Sequence, residues 1–260
     1  MTPIFDTHAH YDDEAFDEDR DELLSTIFAG GIGKIVNIGA SIASCKKGIE
    51  LAAQYPQMYL ALGVHPSDVK DLNEETAAWL ENEVRSNAKC LAVGEIGLDY
   101  YWDTSEVDAQ KEWFAWQLNL ARRTRKPVVI HSRDACKDTI DLMTAEKAEE
   151  IGGVIHCYSY TKETARTFLN MGFYFGIGGV LTYKNAQKLK EAVEYIPLDR
   201  IVLETDCPYL SPVPNRGKRN SSLNIPHVIH AMAQIKGVSE EEIRRAAWEN
   251  SHALYRISTD

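Results

Sequence analysis

The feature that most constrains the fold is a regular alternation of short, β-rich apolar runs with longer stretches of helical composition. Eight such runs occur, and each is followed by a polar or glycine-containing loop. This alternation favours parallel strands joined by right-handed helical crossovers. The predicted strands are Pro3–Thr7, Lys34–Asn37, Tyr59–Val64, Leu91–Gly94, Pro127–Ile130, Gly153–Ile155, Phe173–Gly176 and Ile201–Leu203.

Helical stretches separate the predicted strands and also follow the last one. A closed (β/α)8 TIM barrel is therefore the economical topology, and an open doubly wound sheet is the alternative. The 260 residues suit one such barrel and contain no evident linker, so we expect a single domain over residues 1–260. The predicted helices are Arg20–Ala29, Ser44–Gln54, Glu74–Ser86, Ser105–Arg125, Ala135–Ala148, Lys162–Met171, Asn185–Tyr195, Pro226–Lys236 and Ser239–Ile257.

Composition and charge exclude several classes of protein. No apolar run approaches the ~18 residues that a membrane-spanning helix needs. The first residues are acidic where a secretory signal would need a basic start, and the five cysteines form no CxxC pair, so we expect a cytoplasmic protein. The formal net charge of −11 disfavours non-specific binding to nucleic acid, so a phosphate substrate would need local cations such as bound metals.

Candidate metal ligands follow the predicted strands at their carboxyl ends, where barrels of this kind carry their chemistry. His8 and His10 are one residue apart, so an extended strand places both imidazoles on one face. Such a pair is a weak signal alone, but five of the eight histidines fall at strand ends, together with two carboxylates. These residues are His8, His10, His65, Glu95, His131, His156 and Asp206.

The number of these ligands predicts two metal ions. With His65 set aside as a candidate for substrate binding, four histidines and two carboxylates remain, which are too many ligands for one tetrahedral ion. Imidazole with carboxylate suits Zn²⁺, Mn²⁺, Ni²⁺ or Fe²⁺. A carboxylate can bridge two ions, which makes Glu95 the candidate bridge. The remaining ligands then divide into His8, His10 and Asp206 on one ion and His131 with His156 on the other.

Three further residues are candidates for substrate binding, each with a structural alternative. His65 either hydrogen-bonds phosphate or packs against neighbouring loops. Arg133 either grips phosphate with its planar fork or pairs with a nearby carboxylate. Arg219 lies in the basic segment Arg216–Asn220, which is either a phosphate clamp or a solvated turn. Five aromatic residues either stack on unpaired bases or pack within their loops, and these are Tyr100, Tyr101, Trp102, Tyr158 and Tyr160.

The motifs at these positions resemble those of the TatD family of metal-dependent deoxyribonucleases, which are amidohydrolase-like enzymes built on TIM barrels. The resemblance extends over the whole chain. One departure is Cys157–Ser159, where many members carry Phe-(Ser or Thr)-Gly, and it bears on substrate preference rather than on a ligand position. The motifs are Phe5–His10, Gly63–Pro66, Gly94–Tyr100, Pro127–Ala135, His156–Ser159, Glu204–Leu210 and Arg216–Asn220.

The resemblance implies a function as well as a fold. It implies a 3′→5′ exonuclease that cleaves DNA, single-stranded or at 3′ ends, with Mg²⁺ or Mn²⁺, and it implies the same six ligands with Glu95 as the bridge. We expect Asp206 and Glu95 to be catalytic, with Asp206 orienting the attacking water and accepting its proton. No membrane and no obligate protein partner are expected. The alternatives are a hydrolase of other esters or small phosphoesters and a nucleic-acid-binding module without turnover, against which the complete ligand set argues.

Overall fold

The computed structural model of the protein describes residues 1–102 and 106–258, in which strands and helices alternate. The strand order follows the chain order. The strands are β1 (Ile4–Ala9), β2 (Ile32–Ile38), β3 (Met58–Leu62), β4 (Cys90–Asp99), β5 (Val128–Arg133), β6 (Gly153–Ile155), β7 (Tyr174–Ile177) and β8 (Ile201–Leu203). The helices are α1 (Arg20–Ala29), α2 (Ile42–Gln54), α3 (Glu74–Ser86), α4 (Val107–Thr124), α5 (Cys136–Ala145), α6 (Lys162–Asn170), α7 (Gln187–Tyr195), α8 (Ile225–Lys236) and α9 (Glu240–Tyr255).

One compact unit, here the terminal unit, comprises Met1–Asn37 and Cys157–Asp260. Within it β1 pairs with β2 and β7 pairs with β8, both in parallel. Helix α9 covers β1, because the buried Phe5 packs against the rings of Trp248 and Tyr255. The Tyr255 hydroxyl also donates a hydrogen bond of 2.9 Å to the carbonyl oxygen of Thr7. The last helix therefore fixes the first strand by both apolar packing and a polar contact.

The other compact unit, here the central unit, is the continuous segment Ile38–His156. It contains β3 to β6 as parallel neighbours. Two buried glutamines of α4 hold the strand ends: Gln117 bonds the backbone N–H and C=O of Val64, and Gln110 does the same at Asp99. Because buried backbone groups must be paired, these amides supply at the strand ends what a sheet partner would supply elsewhere.

Several helices begin where the sequence provides a capping side chain. Ser41, Thr161 and Ser239 each accept a backbone N–H from the first turn of the helix that follows. Asn73 forms a capping box with Thr76 at the start of α3. Such caps satisfy N–H groups that have no partner within the helix, and each stabilises by about 1 kcal/mol.

The predicted elements are all present, but three strands extend two or more residues beyond their predicted carboxyl ends. β1 continues to Ala9 and β5 to Arg133, so His8 and His131 lie within strands rather than after them. The prediction that β4 ends at Gly94 is wrong, because the strand continues to Asp99 with every residue buried. The start of the predicted helix Ser105–Arg125 falls outside the described residues. The single-domain prediction stays a prediction.

None of the helices in residues 1–102 and 106–258 combines the length and the apolar character that crossing a membrane requires.

Candidate metal centre

Three of the predicted ligands come together in the terminal unit, and we call His8, His10 and Asp206 the terminal cluster. The Nε2 atoms of His8 and His10 are 3.2 Å apart. Asp206 Oδ1 lies 3.5 Å from Nε2 of His8 and 3.4 Å from Nε2 of His10. Asp206 follows β8 in the left-handed backbone region, with φ 58°, and its N–H donates to the carbonyl oxygen of His8 over 2.9 Å. Strand pairing thus brings a residue from late in the chain to the two histidines of the first strand.

The buried side chain of Asp6 supports the backbone that carries this cluster. Asp6 accepts hydrogen bonds from the hydroxyls of Thr205 (2.7 Å) and Ser222 (2.6 Å) and from the backbone N–H of Thr205 (3.1 Å). Burial raises the pKa of Asp6 to about 7, although these hydrogen bonds oppose the rise. Asp6 is therefore a bracing residue that ties β1 to the segment carrying Asp206.

The central unit holds the other predicted ligands, and we call Glu95, His131 and His156 the central cluster. Glu95 Oε1 lies 2.7 Å from His131 Nδ1 and 2.9 Å from His156 Nε2. The same oxygen is 3.9 Å from Nε2 of His65. One carboxylate oxygen of β4 thus lies near imidazoles from the carboxyl ends of β3, β5 and β6. His65, Glu95 and His131 also offer donor atoms close enough together to hold one ion.

Asp99 orients His131 from the side opposite Glu95. Its Oδ2 lies 2.9 Å from Nε2 of His131, and its Oδ1 accepts the backbone N–H of Tyr101 at 2.8 Å. Burial by itself would raise the pKa of Asp99, but the hydrogen bonds from His131 and from Tyr101 hold it below its usual value. Burial likewise opposes protonation of His131, yet its bonds to Asp99 and Glu95 raise the pKa of that imidazole. A carboxylate on the second ring nitrogen fixes tautomer and orientation, as is common for metal-binding histidines.

His65 is a neutral imidazole. Burial, together with the neighbouring His131, lowers the pKa of His65 to about 3. Its Nδ1 accepts the backbone N–H of Ser67 over 3.1 Å, which leaves the proton on Nε2. The ring therefore presents an N–H on its Glu95 side. A neutral donor of this kind can bind a phosphate oxygen without adding charge.

The two predicted substrate-binding arginines are held differently. The Arg133 guanidinium lies over the ring of Tyr101, 3.8 Å from its centroid, at the end of β5. Arg219 forms a bidentate ion pair with Asp19 and donates a further hydrogen bond to the carbonyl oxygen of Ala15. Asp19 correspondingly has a lowered pKa, chiefly through its hydrogen bond from Arg219. Contact of either arginine with substrate stays a prediction.

The donor set of each cluster fits a divalent metal ion. Two imidazole nitrogens with a carboxylate oxygen are ligands typical of Zn²⁺ and neighbouring transition ions. Two donors bound to one tetrahedral ion at about 2.1 Å lie about 3.4 Å from each other. The three donor atoms of the terminal cluster, separated by 3.2 to 3.5 Å, match that spacing. The central cluster is tighter, at hydrogen-bond distances.

Sequence reasoning missed the bracing and orienting roles of Asp6 and Asp99. Asp6 is two residues before His8, so it was visible as part of the same strand face. Asp99 is four residues after Glu95, and a strand period of two would have placed both on one face had the strand not been ended at Gly94. The usable signal was therefore the continuation of β4, not a motif.

Comparison with known proteins places the whole chain in one group. A sequence model described as TatD-related DNase matches residues 5–256. The chain is 41% identical to the metal-dependent hydrolase YabD of Bacillus subtilis, over 98% of this chain and 100% of that protein. It is 34% identical to the 3′-5′ ssDNA/RNA exonuclease TatD of Cronobacter sakazakii, with 97% of each protein covered.

Structural comparison agrees with the sequence matches. The crystal structure of the TatD homologue YJJV from Escherichia coli superposes with a TM-score of 0.92 at 29% identity, covering 98% of each chain. Eight parallel strands in chain order with helices between them constitute the (β/α)8 topology. The predicted fold class and the resemblance are therefore confirmed.

Proposed function

Because the chain belongs to the TatD-related DNase family of metal-dependent hydrolases, we propose that it is a 3′→5′ exonuclease acting on single-stranded nucleic acid. One observation carries the proposal: each of the two units gathers two imidazoles and a carboxylate with donor atoms no more than 3.5 Å from a neighbour. The exonuclease name of the Cronobacter relative supports the substrate class. We place the activity in the cytoplasm on the grounds of sequence alone.

Six residues hold two divalent ions in this proposal. The terminal cluster supplies one site and the central cluster supplies the other, while a bridge through Glu95 stays a prediction. Bound divalent ions lower the pKa of water and neutralise charge on a phosphodiester. The donor types admit Zn²⁺, Mn²⁺, Ni²⁺ or Fe²⁺, and the family resemblance adds Mg²⁺.

The chain's own groups supply binding and proton transfer. Asp206 is 18% exposed, so its carboxylate is accessible to a water molecule, which it orients and from which it accepts a proton. His65 donates its Nε2–H to a phosphate oxygen. Arg133 neutralises a neighbouring phosphate, since a guanidinium fork matches two phosphate oxygens.

The reaction balances as a hydrolysis. The water oxygen forms a bond to phosphorus, the bond between phosphorus and the 3′ oxygen breaks, and Asp206 takes the proton of the water. The departing 3′ oxygen takes up a proton from solvent. No covalent enzyme intermediate is required, because water is the nucleophile.

The test is a digestion of end-labelled oligonucleotides. Single- and double-stranded DNA and single-stranded RNA are incubated with the protein and Mg²⁺, Mn²⁺ or Zn²⁺, or with EDTA, and the products are resolved over time. We expect a ladder that shortens from the 3′ end of single strands, is abolished by EDTA and returns when metal is restored. Asp206→Asn is the matched variant, because it preserves side-chain size while removing the proton acceptor.

Two outcomes would contradict the proposal. Binding without cleavage in every metal would indicate a binding module. Cleavage confined to a parallel panel of carboxylic and small phosphate esters would indicate a hydrolase of another substrate class.

A further inference from the structure

Two large aromatic side chains stand exposed directly after β4, within the central unit. Tyr101 is 54% exposed and Trp102 is 69% exposed. Their rings meet edge to face, with centroids 4.9 Å apart and an interplanar angle of 88°. Exposed tryptophan is unusual in a folded chain, because burying an aromatic ring is among the largest favourable contributions to folding. Two adjacent exposed rings therefore indicate a surface that binds a ligand.

A cation completes this feature. The guanidinium of Arg133 lies 3.8 Å from the ring centroid of Tyr101 and 5.4 Å from that of Trp102. Both distances are within the range of cation–π attraction. We call Tyr101, Trp102 and Arg133 the aromatic platform. It places planar π-surfaces and a positive charge side by side on a chain whose formal net charge is −11.

The backbone under the platform is fixed by a residue of the candidate metal centre. Asp99 Oδ1 accepts the backbone N–H groups of Tyr101 at 2.8 Å and Trp102 at 3.2 Å. The other oxygen of the same carboxylate lies 2.9 Å from Nε2 of His131. The platform is thus one hydrogen-bonded side chain away from a proposed metal ligand, and its position is set by the same carboxylate that orients that ligand.

The chemistry of the platform favours one class of ligand. An apolar protein surface would have to bury the Arg133 guanidinium without a partner, which is costly. A single-stranded nucleic acid offers both complements, since an unpaired base stacks on an aromatic ring and the adjoining phosphate pairs with the guanidinium. Stacking of this kind tolerates any base, as expected for an enzyme that degrades a strand nucleotide by nucleotide.

We propose that the aromatic platform is a stacking site for an unpaired nucleobase of the substrate, with Trp102 as its main contact and Arg133 on the adjoining phosphate. The proposal rests on the function proposed above and assigns to it a specific binding subsite. Trp102 acts in binding, not in the chemical step.

The test combines a protein variant with removal of the bases. Binding of a fluorescein-labelled oligothymidylate and of an abasic oligomer of equal length, both with phosphorothioate linkages that resist cleavage, is measured by fluorescence anisotropy with the metal-loaded wild type, Trp102→Ala, Trp102→Phe and Tyr195→Ala. Tyr195, at the end of α7, is 46% exposed and is the matched control. Quenching of a 2-aminopurine base in the oligomer reports stacking directly.

We expect Trp102→Ala to weaken oligothymidylate binding by about 5- to 150-fold, the range that corresponds to loss of one stacked base. Trp102→Phe should restore most of the affinity and of the 2-aminopurine quenching, while Tyr195→Ala should match wild type. Affinity for the abasic oligomer should be equal in all four proteins. In digestion with metal, Trp102→Ala should raise KM and leave kcat unchanged.

Failures of the two proposals are distinguishable. If wild type neither binds nor degrades oligonucleotides, the proposed function fails. If wild type does both and Trp102→Ala behaves identically, or loses affinity for the abasic oligomer to the same extent, the stacking site is overturned. Unchanged oligonucleotide binding with loss of self-association in sedimentation would assign the platform to a second copy of the chain and would also overturn it.

Discussion

The terminal and central clusters contain the same chemical groups and hold them differently. In the terminal cluster the donor atoms are 3.2 to 3.5 Å apart, close to the distance between two ligand atoms bound to one tetrahedral ion. In the central cluster Glu95 is within hydrogen-bond distance of two imidazoles, at 2.7 and 2.9 Å. A metal entering the central cluster must replace two hydrogen bonds between imidazole and carboxylate, whereas in the terminal cluster it would replace the single His8–His10 hydrogen bond between atoms that already have metal-ligand spacing. Equal composition therefore does not imply equal preorganisation.

The largest expected effect is a loss of exonuclease activity on substitution of Glu95, and the number of metal ions that each variant retains distinguishes the two clusters. Glu95→Gln should lower exonuclease activity by about 10²- to 10³-fold or more, the scale associated with removing one preorganised electrostatic group. If Glu95 bridges, this variant loses both ions, whereas His8→Ala loses only the ion of the terminal cluster. Metal per chain is measured by plasma mass spectrometry after dialysis. Retention of one full equivalent by Glu95→Gln would exclude the bridge.

A backbone substitution tests how tightly the central cluster is built. A Cβ on Gly97 would lie 1.9 Å from the carbonyl oxygen of His131, at a φ of +146°. Gly97→Ala should therefore lower the free energy of unfolding by about 2–4 kcal/mol, through strain and a clash. Gly172→Ala is the control: its φ is +79° but no atom lies within 4 Å, so only about 1 kcal/mol is expected. Urea denaturation measures both, and equal losses would contradict the clash.

The orienting carboxylate gives a smaller effect confined to one cluster. Asp99→Asn retains an oxygen for the N–H groups of Tyr101 and Trp102 but loses the negative charge beside His131. Metal affinity of the central cluster should fall by about 10- to 100-fold, the usual effect of removing such a partner. The control is Asp138→Asn, which alters a partly exposed carboxylate that accepts a hydrogen bond from Tyr100 and pairs with Lys111. Competition with a chelating dye measures affinity, and an equal loss in both variants would refute the orienting role.

The smallest expected effect concerns the ion pair of Arg219. Asp19 has a lowered pKa in the folded chain, so the pair contributes stability above the unfolded value of 3.8 and loses it as the pH falls through the folded value. Arg219→Met should return the Asp19 titration toward 3.8, as measured by NMR of its carboxyl carbon. It should also flatten the loss of stability below pH 4. An unchanged Asp19 titration would show that the pair does not form in solution.

The difference between the clusters also explains what sequence reasoning recovered. His8 and His10 were predictable as a pair because their relation is local and follows from the strand period. The alternation of elements correctly predicted the barrel, because the order and type of the elements do not depend on the position of each strand end. Asp99 was missed because the predicted β4 ends at Gly94, so the strand face that Asp99 shares with Glu95 was not considered. The Arg219 ion pair joins residues 200 positions apart, which lies beyond any pattern in the sequence.

The hydrogen bond from Tyr255 to Thr7 has a consequence for how the molecule is made. Its partners are 248 residues apart, and Asp6 and Thr205 are separated by 199. The strand that contains His8 is therefore translated before α9 and before the segment that contains Thr205, both of which complete its surroundings. The segment Ile38–His156, which contains Glu95, His131 and His156, is continuous and emerges whole before then. Until α9 and the segment around Thr205 are translated, β1 has β2 as its sheet neighbour but lacks these later partners. The proposed metal site that contains His8 is therefore completed after the site of the central cluster, although its first ligand is translated earlier.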